Sequence, residues 1–191
     1  MDQDRISQGF IRRLWPTDMH HLRDHLLRLD KESRRLRFAH GVSDAFVEDY
    51  AALVTDMDGI VYGYFDDSAC RAVAELRKLD DTWMPNAEAA FSVEGPFQDR
   101  GVGTDLMGRV IRAARNRGVR RLYMSCLAEN GRMRAIACKY DACLRFEYGE
   151  VIGEILPPGP SSLSLFAEAV ENRVGFLLAV LDLQGRLVMA A

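Results

Sequence analysis

The chain has 191 residues, 48% hydrophobic and 28% charged, with a formal net charge of -3. This composition predicts a soluble globular domain long enough to bury a substantial core. The slightly acidic balance excludes a long-range field that attracts nucleic acid or an anionic membrane.

The opening, MDQDRISQGFIRRLWP, has no charged segment followed by an apolar one, which predicts a cytoplasmic protein. Residues 10–14 predict a first strand, closed by Trp15-Pro16. Thr17 or Asp18 stands where a cap is needed for a helix carrying Met19, Leu22, Leu26 and Leu29 at helical spacing. Further helices are predicted over 30–40 and 43–54, the latter with Ser43 as cap and Phe46, Tyr50 and Leu53 along one side. The pattern then changes period. Residues 59–67 and 69–80 predict a hairpin, and 86–93 the next strand. After the loop FQDRGVGT (97–104) come a helix over 105–118, a strand over 120–127, a helix opening at Asn130, and one or two strands within 144–156.

The stiff segment PPGP (157–160) sets off a last helix, in which Leu163, Phe166, Val170, Val174, Leu177 and Leu181 recur every three or four residues. Such a stripe must bury a face, either on the domain or on a second subunit as a homodimer. The expected organisation is a domain over 1–157 and a helical extension over 158–191. The most apolar run, 174–183, falls short of the roughly 20 residues that span a bilayer, so no membrane partner is expected. Cys70, Cys126, Cys138 and Cys143 form no C-x-x-C pair and predict free, mostly buried thiols in a reducing compartment. The order of elements predicts an α+β fold, with parallel pairing confined to the glycine-loop region.

Glycines between a strand and a helix bring backbone close to phosphate. A dinucleotide fingerprint requires a small residue where Leu106 stands, and a P-loop requires a Lys-Ser or Lys-Thr pair that this loop lacks. What remains is Gln98-x-x-Gly101-x-Gly103 at a helix start, preceded by Phe97 and, five positions before Gln98, by Val93. This pattern resembles the pyrophosphate loop of the GCN5-related N-acetyltransferases, the GNAT family. The resemblance extends to FIRRLWPTD (10–18), to ESRRLRF (32–38), which is similar to a stretch of the protein-acetylating branch, and to RRLYMSCLAEN followed by GRMRAIACKY.

The resemblance implies a GNAT fold and acetyl-CoA as cosubstrate, with no metal. It implies that Gln98, Arg100, Gly101, Val102, Gly103 and Thr104 form the pyrophosphate site. Backbone groups of Phe91 and Val93 would meet the pantetheine arm, and Asn130 would touch it while capping its helix. Glu88 matches the position of the base in the protein-acetylating branch; its bland role is a carboxylate at the sheet surface, and Glu75 is the fallback. The family's usual acid, a tyrosine, is replaced by Ala137, which leaves Ser125, Cys126 and Tyr140 as candidates. The implied reaction is acetyl transfer to an amine, on a small metabolite or a protein, by direct attack in a ternary complex. The competing expectation is a GNAT-fold module that binds acyl-CoA or a partner without turnover.

Arg109, Arg112, Arg115, Arg117, Arg120 and Arg121 form a basic cluster that reads as a solvated helix face and C-terminus, or as an attraction for the 3'-phosphate or an acidic partner. His21 and His25 stand four apart, with no third metal ligand evident in the sequence.

Overall fold

A computed structural model describes residues 9–56 and 59–189; the opening octapeptide and the last two residues lie outside it. Seven strands, β1 (Phe10–Leu14), β2 (Ile60–Asp66), β3 (Ala69–Lys78), β4 (Asn86–Val93), β5 (Arg121–Leu127), β6 (Cys143–Glu147) and β7 (Glu150–Ile155), form one sheet in the order β1-β2-β3-β4-β5-β7-β6. Every neighbouring pair is antiparallel except β4 with β5. The β2–β3 turn is made by Asp67 and Ser68, both left-handed at φ 47° and 64°, the conformation that keeps a two-residue hairpin in step with strand twist.

Helices α1 (Met19–Arg28), α2 (Lys31–Phe38) and α3 (Asp44–Asp56) lie on one face of the sheet; α4 (Val102–Asn116) and α5 (Gly131–Lys139) lie on the other. Strand alternation divides the core accordingly. Ala72, Ala74 and Leu76 of β3 and Ala87 and Ala89 of β4 join Leu106, Met107 and Val110 of α4, while Val61, Phe65 and Val73 join Leu22 and Leu26 of α1. Leu106, Met107 and Val110 are completely buried, each worth about 1.5–3 kcal/mol. That packing fixes α4, and therefore the loop at its N-terminus.

Two local expectations are corrected. Neither Thr17 nor Asp18 caps α1 with its side chain: Asp18 is fully buried, paired to Arg12 at 2.6 Å, and accepts from the Trp15 N–H. On α3 the buried positions are Val47, Ala51 and Val54, whereas Phe46 and Leu53 are exposed. Phe46 instead meets the rings of Phe38 and Tyr50 at the surface. Ser43 does cap α3, accepting from the Phe46 N–H. Of the four cysteines, all free, Cys70 and Cys126 are buried but Cys138 and Cys143 are exposed, so the thiols divide evenly where most were expected inside.

The final helix, α6 (Ser162–Met189), lies along β1 and α4. Its docking face is polar. Glu171 pairs with Arg109 and Arg112, Glu168 with Arg117 and Asn116, and Ser164 with Asn116. Three arginines of the basic cluster are thus the receptor for α6 rather than a free helix face. No helix among the described residues is long and apolar enough to cross a membrane.

Candidate active site

β4 and β5 pair in parallel over only three rungs, Asn86↔Arg121, Ala87↔Leu122 and Glu88↔Tyr123. Beyond Glu88 they diverge, each still held by its outer neighbour, β3 or β7. The wedge between them opens into a cleft of about 470 Å³ lined by Phe91, Ser92 and Val93 of β4, the loop from Phe97 to Thr104, one face of α5, and Ser33, Leu36 and Arg37 of α2.

The glycine loop enters α4 through two left-handed residues, Asp99 at φ 59° and Gly101 at φ 87°. Gly101 is the residue before the helix, and the first intrahelical bond runs from the Asp105 N–H to the Gly101 carbonyl. The N–H groups of Val102, Gly103 and Thr104 therefore have no acceptor within the helix and stand at the positive end of its dipole. Glycine is needed at 101 for its backbone angle. At 103 the reason is packing, since a Cβ would sit 2.8 Å from Ile136 Cδ1 of α5. Val102 buries its side chain in the core and offers only backbone.

Gln98 ties the loop down, its amide donating to the Val93 carbonyl at 2.9 Å and to Ser33 Oγ at 3.3 Å. Arg100 is exposed and stacks over Phe97. Asn130 lines the cleft and caps α5, accepting from the Met133 N–H. Sequence reading missed Arg132 and Lys139, two cations on the cleft wall, and the α2 residues above it. Arg132 pairs with Asp99 of the loop. Lys139 and Arg132 point the same way because they lie on one side of α5, a pattern visible only once α5 is known to face the loop.

Two acids on the α2 side of β3 and β4 have different surroundings. Glu75 is 1% exposed and is held by Arg37, Tyr50 and Arg77. Glu88 is half-buried at the last β4–β5 rung, beside Arg77 across β3, and among the described residues no hydrogen bond or ion pair engages its carboxylate. It lies outside the cleft lining, on the opposite face of β4 from Phe91 and Val93.

The acid candidates all lie away from the cleft lining. Ser125 is exposed and donates to Glu150 of β7. Tyr140 donates to the Thr104 carbonyl at 2.8 Å, and burial raises its pKa. Burial raises the Cys126 thiol as well. Ala137 is buried in the core.

His21 and His25 diverge: His21 meets Asp182 of α6, and His25 is enclosed between Ser92 and Glu94. His20, His21 and Asp182 do converge, but the Arg186 guanidinium binds both His20 and Asp182. A cation already occupies that corner.

Residues 22–139 match the model of the acetyltransferase (GNAT) family. The chain belongs to the GNAT acetyltransferase family. Its fold is also that of the GNAT domain of S. lividans PAT, with a TM-score of 0.67 and 23% identity over 78% of this chain and 90% of that one. The yncA protein of Salmonella typhimurium, solved with its cofactor acetyl-CoA, gives a TM-score of 0.61 at 13% identity over 82% and 98% of the two chains. The PaiA N-acetyltransferase of Thermoplasma acidophilum, in complex with coenzyme A, gives 0.58 at 16% identity over 78% and 99%. GNAT enzymes use acetyl-CoA as cosubstrate. The residues of this GNAT cleft suit that ligand: free helix N–H groups, a left-handed glycine and two cationic side chains at one end, and an apolar strand edge at the other.

Proposed function

We propose that this GNAT protein is an N-acyltransferase that moves an acetyl group from acetyl-CoA to an amine by direct attack in a ternary complex, in the cytoplasm. The observation that carries this reading is the divergence of β4 from β5 directly beside an unengaged carboxylate. The wedge opens toward the anion-binding loop on the α4 side, and in this reading the acceptor reaches Glu88 from the α2 side, so donor and acceptor approach from opposite faces of the sheet.

In this reading the N–H groups of residues 100–104 hold the pyrophosphate of the donor, with Gln98, Arg100 and Thr104 around them. The backbone groups of Phe91 and Val93 align the pantetheine arm, and Asn130 flanks it. Glu88 lies about 10 Å along the strand from Phe91, at ~3.3 Å per residue. An alkylammonium has a pKa of about 10.4, so the acceptor nitrogen must lose a proton before it attacks. Glu88 takes that proton, directly or through a water. A strand N–H near Val93 faces the carbonyl oxygen as it gains charge. The nitrogen–carbon bond forms, the carbon–sulfur bond breaks, and the nitrogen's second proton passes to the departing thiolate or to solvent; a simple Cys-like thiol has a pKa of about 8.5, low enough for the thiolate to leave without a protein acid. Ser125 of β5, exposed and bonded to Glu150, is the hydroxyl proposed for that proton. The acceptor is a small amine or a protein amino group.

The buried Ala137 and the tethered Tyr140 favour a second reading, a module that binds acyl-CoA without turnover. Thiol release from acetyl-CoA across an amine panel separates the two. Glu88→Gln is expected to lower kcat by about 10²–10⁴-fold, the usual worth of a positioned base, with acetyl-CoA affinity unchanged. Binding without release on any amine supports the module instead.

A further inference from the structure

α6 is docked with its polar side inward. Ser164, Glu168, Glu171, Gly175, Ala179 and Asp182 face the domain, where Gly175 sits against the backbone of Arg12 and Arg13. On the far side, Leu163, Phe166, Val170, Val174, Leu177, Leu181 and Val188 are 78, 69, 45, 53, 62, 62 and 77% exposed. At ~100° per residue these seven fall within about a quarter of the helix circumference, an apolar stripe some 40 Å long interrupted by the exposed Gln184. Rotating α6 to bury the stripe would break every ion pair that docks it.

We propose that this stripe is the interface of a homodimer, in which α6 pairs antiparallel with α6 of a second copy about a two-fold axis between residues 175 and 176. That register places Val174 against Leu177, Val170 against Leu181, Leu163 against Val188, and the Phe166 ring against Gly185, whose face is open. A two-fold interface must be complementary to itself, and every rung of this stripe meets that condition without opposing like charges. The remaining charges of the helix, Glu168, Glu171, Asp182 and Arg186, are already paired on the domain side, while the exposed Arg173 falls opposite Leu178 at the rim. If the seven side chains lose on average on the order of 100 Å², two copies bury roughly 1,400 Å², inside the range of stable interfaces.

Sedimentation of the full chain, 21.5 kDa per copy, is expected to show a dimer at micromolar concentration. Leu177→Asp, next to the axis, is expected to give a monomer with an unchanged circular dichroism spectrum and unchanged acetyl-CoA binding, because the residue is exposed on the face of α6 away from the domain. Phe166→Glu and Gly185→Arg are each expected to weaken the dimer at least tenfold, and together to restore it, since antiparallel pairing sets those positions face to face. A monomeric wild type, a wild type that floats with phospholipid vesicles as a monomer, or a dimer indifferent to Leu177→Asp overturns the proposal.

Discussion

Glu75 and Glu88 lie on one face of the β3–β4 pair, yet three donors hold the first and, among the described residues, none engages the second. A carboxylate 1% exposed and held by two guanidinium groups and a hydroxyl is closed to a substrate, so the hydrogen-bond network is what favours Glu88 over Glu75 as the proposed base. His25 makes a parallel point. It is fully buried, and loss of solvation lowers its pKa, against the opposing pull of Glu94. The folded state holds it neutral, whereas the unfolded chain protonates it near pH 6.5. Its contribution to stability is therefore complete above that pH and is lost as pH falls toward the lower, folded-state value. Thermal unfolding is expected to show Tm declining from pH 7 to pH 5, with a shallower decline in His25→Gln; equal slopes in the two proteins would remove His25 as the cause. In the sequence, Glu88 stands out only through the resemblance to the protein-acetylating branch. The sequence hid His25, because Ser92 and Glu94 reach it across 67 and 69 positions.

At the scale of elements, the cleft depends on two helices staying where their neighbours put them. α4 meets α5 through Gly103 against Ile136, and through Tyr140, whose hydroxyl reaches the Thr104 carbonyl and stands 2.9 Å from where a Cβ at Gly108 would lie. Gly103→Val is expected to force α5 outward, costing about 1–3 kcal/mol by overpacking and weakening acetyl-CoA binding. Ile136→Ala added to it should recover much of both, as measured by denaturant unfolding and ligand titration. No recovery would mean that Gly103 is required by the ligand rather than by α5. Most element boundaries were legible, since hydrophobic period, the turn residues at 66–68 and Asn130 are local signals. The facing of α3 and α6 was not. Both carry apolar residues on two sides, and the choice between sides is made by partners such as the α4 arginines, which periodicity cannot see.

Across the whole molecule, the sheet does two jobs by being paired unevenly. Its outer rungs keep β4 and β5 rigid, while the missing rungs after Glu88 leave strand edges whose polar groups need a partner. A ligand of extended shape with amide groups meets that need, and a helix N-terminus stands at the mouth of the same opening for its anionic end. The loop glycines, the strand before them and the asparagine after them signalled this arrangement in the sequence. The α2 roof, tied across the cleft by Ser33 to Gln98 and by Arg35 to Glu129, did not, because its contacts join segments far apart in the chain. The most direct test is a calorimetric titration of coenzyme A and acetyl-CoA into the wild-type protein and into Gly101→Val, whose β-branched side chain opposes the left-handed φ of 87°. We expect one saturable site per chain in the wild type and at least a tenfold loss in the variant; no binding of either ligand at millimolar concentration would contradict the account.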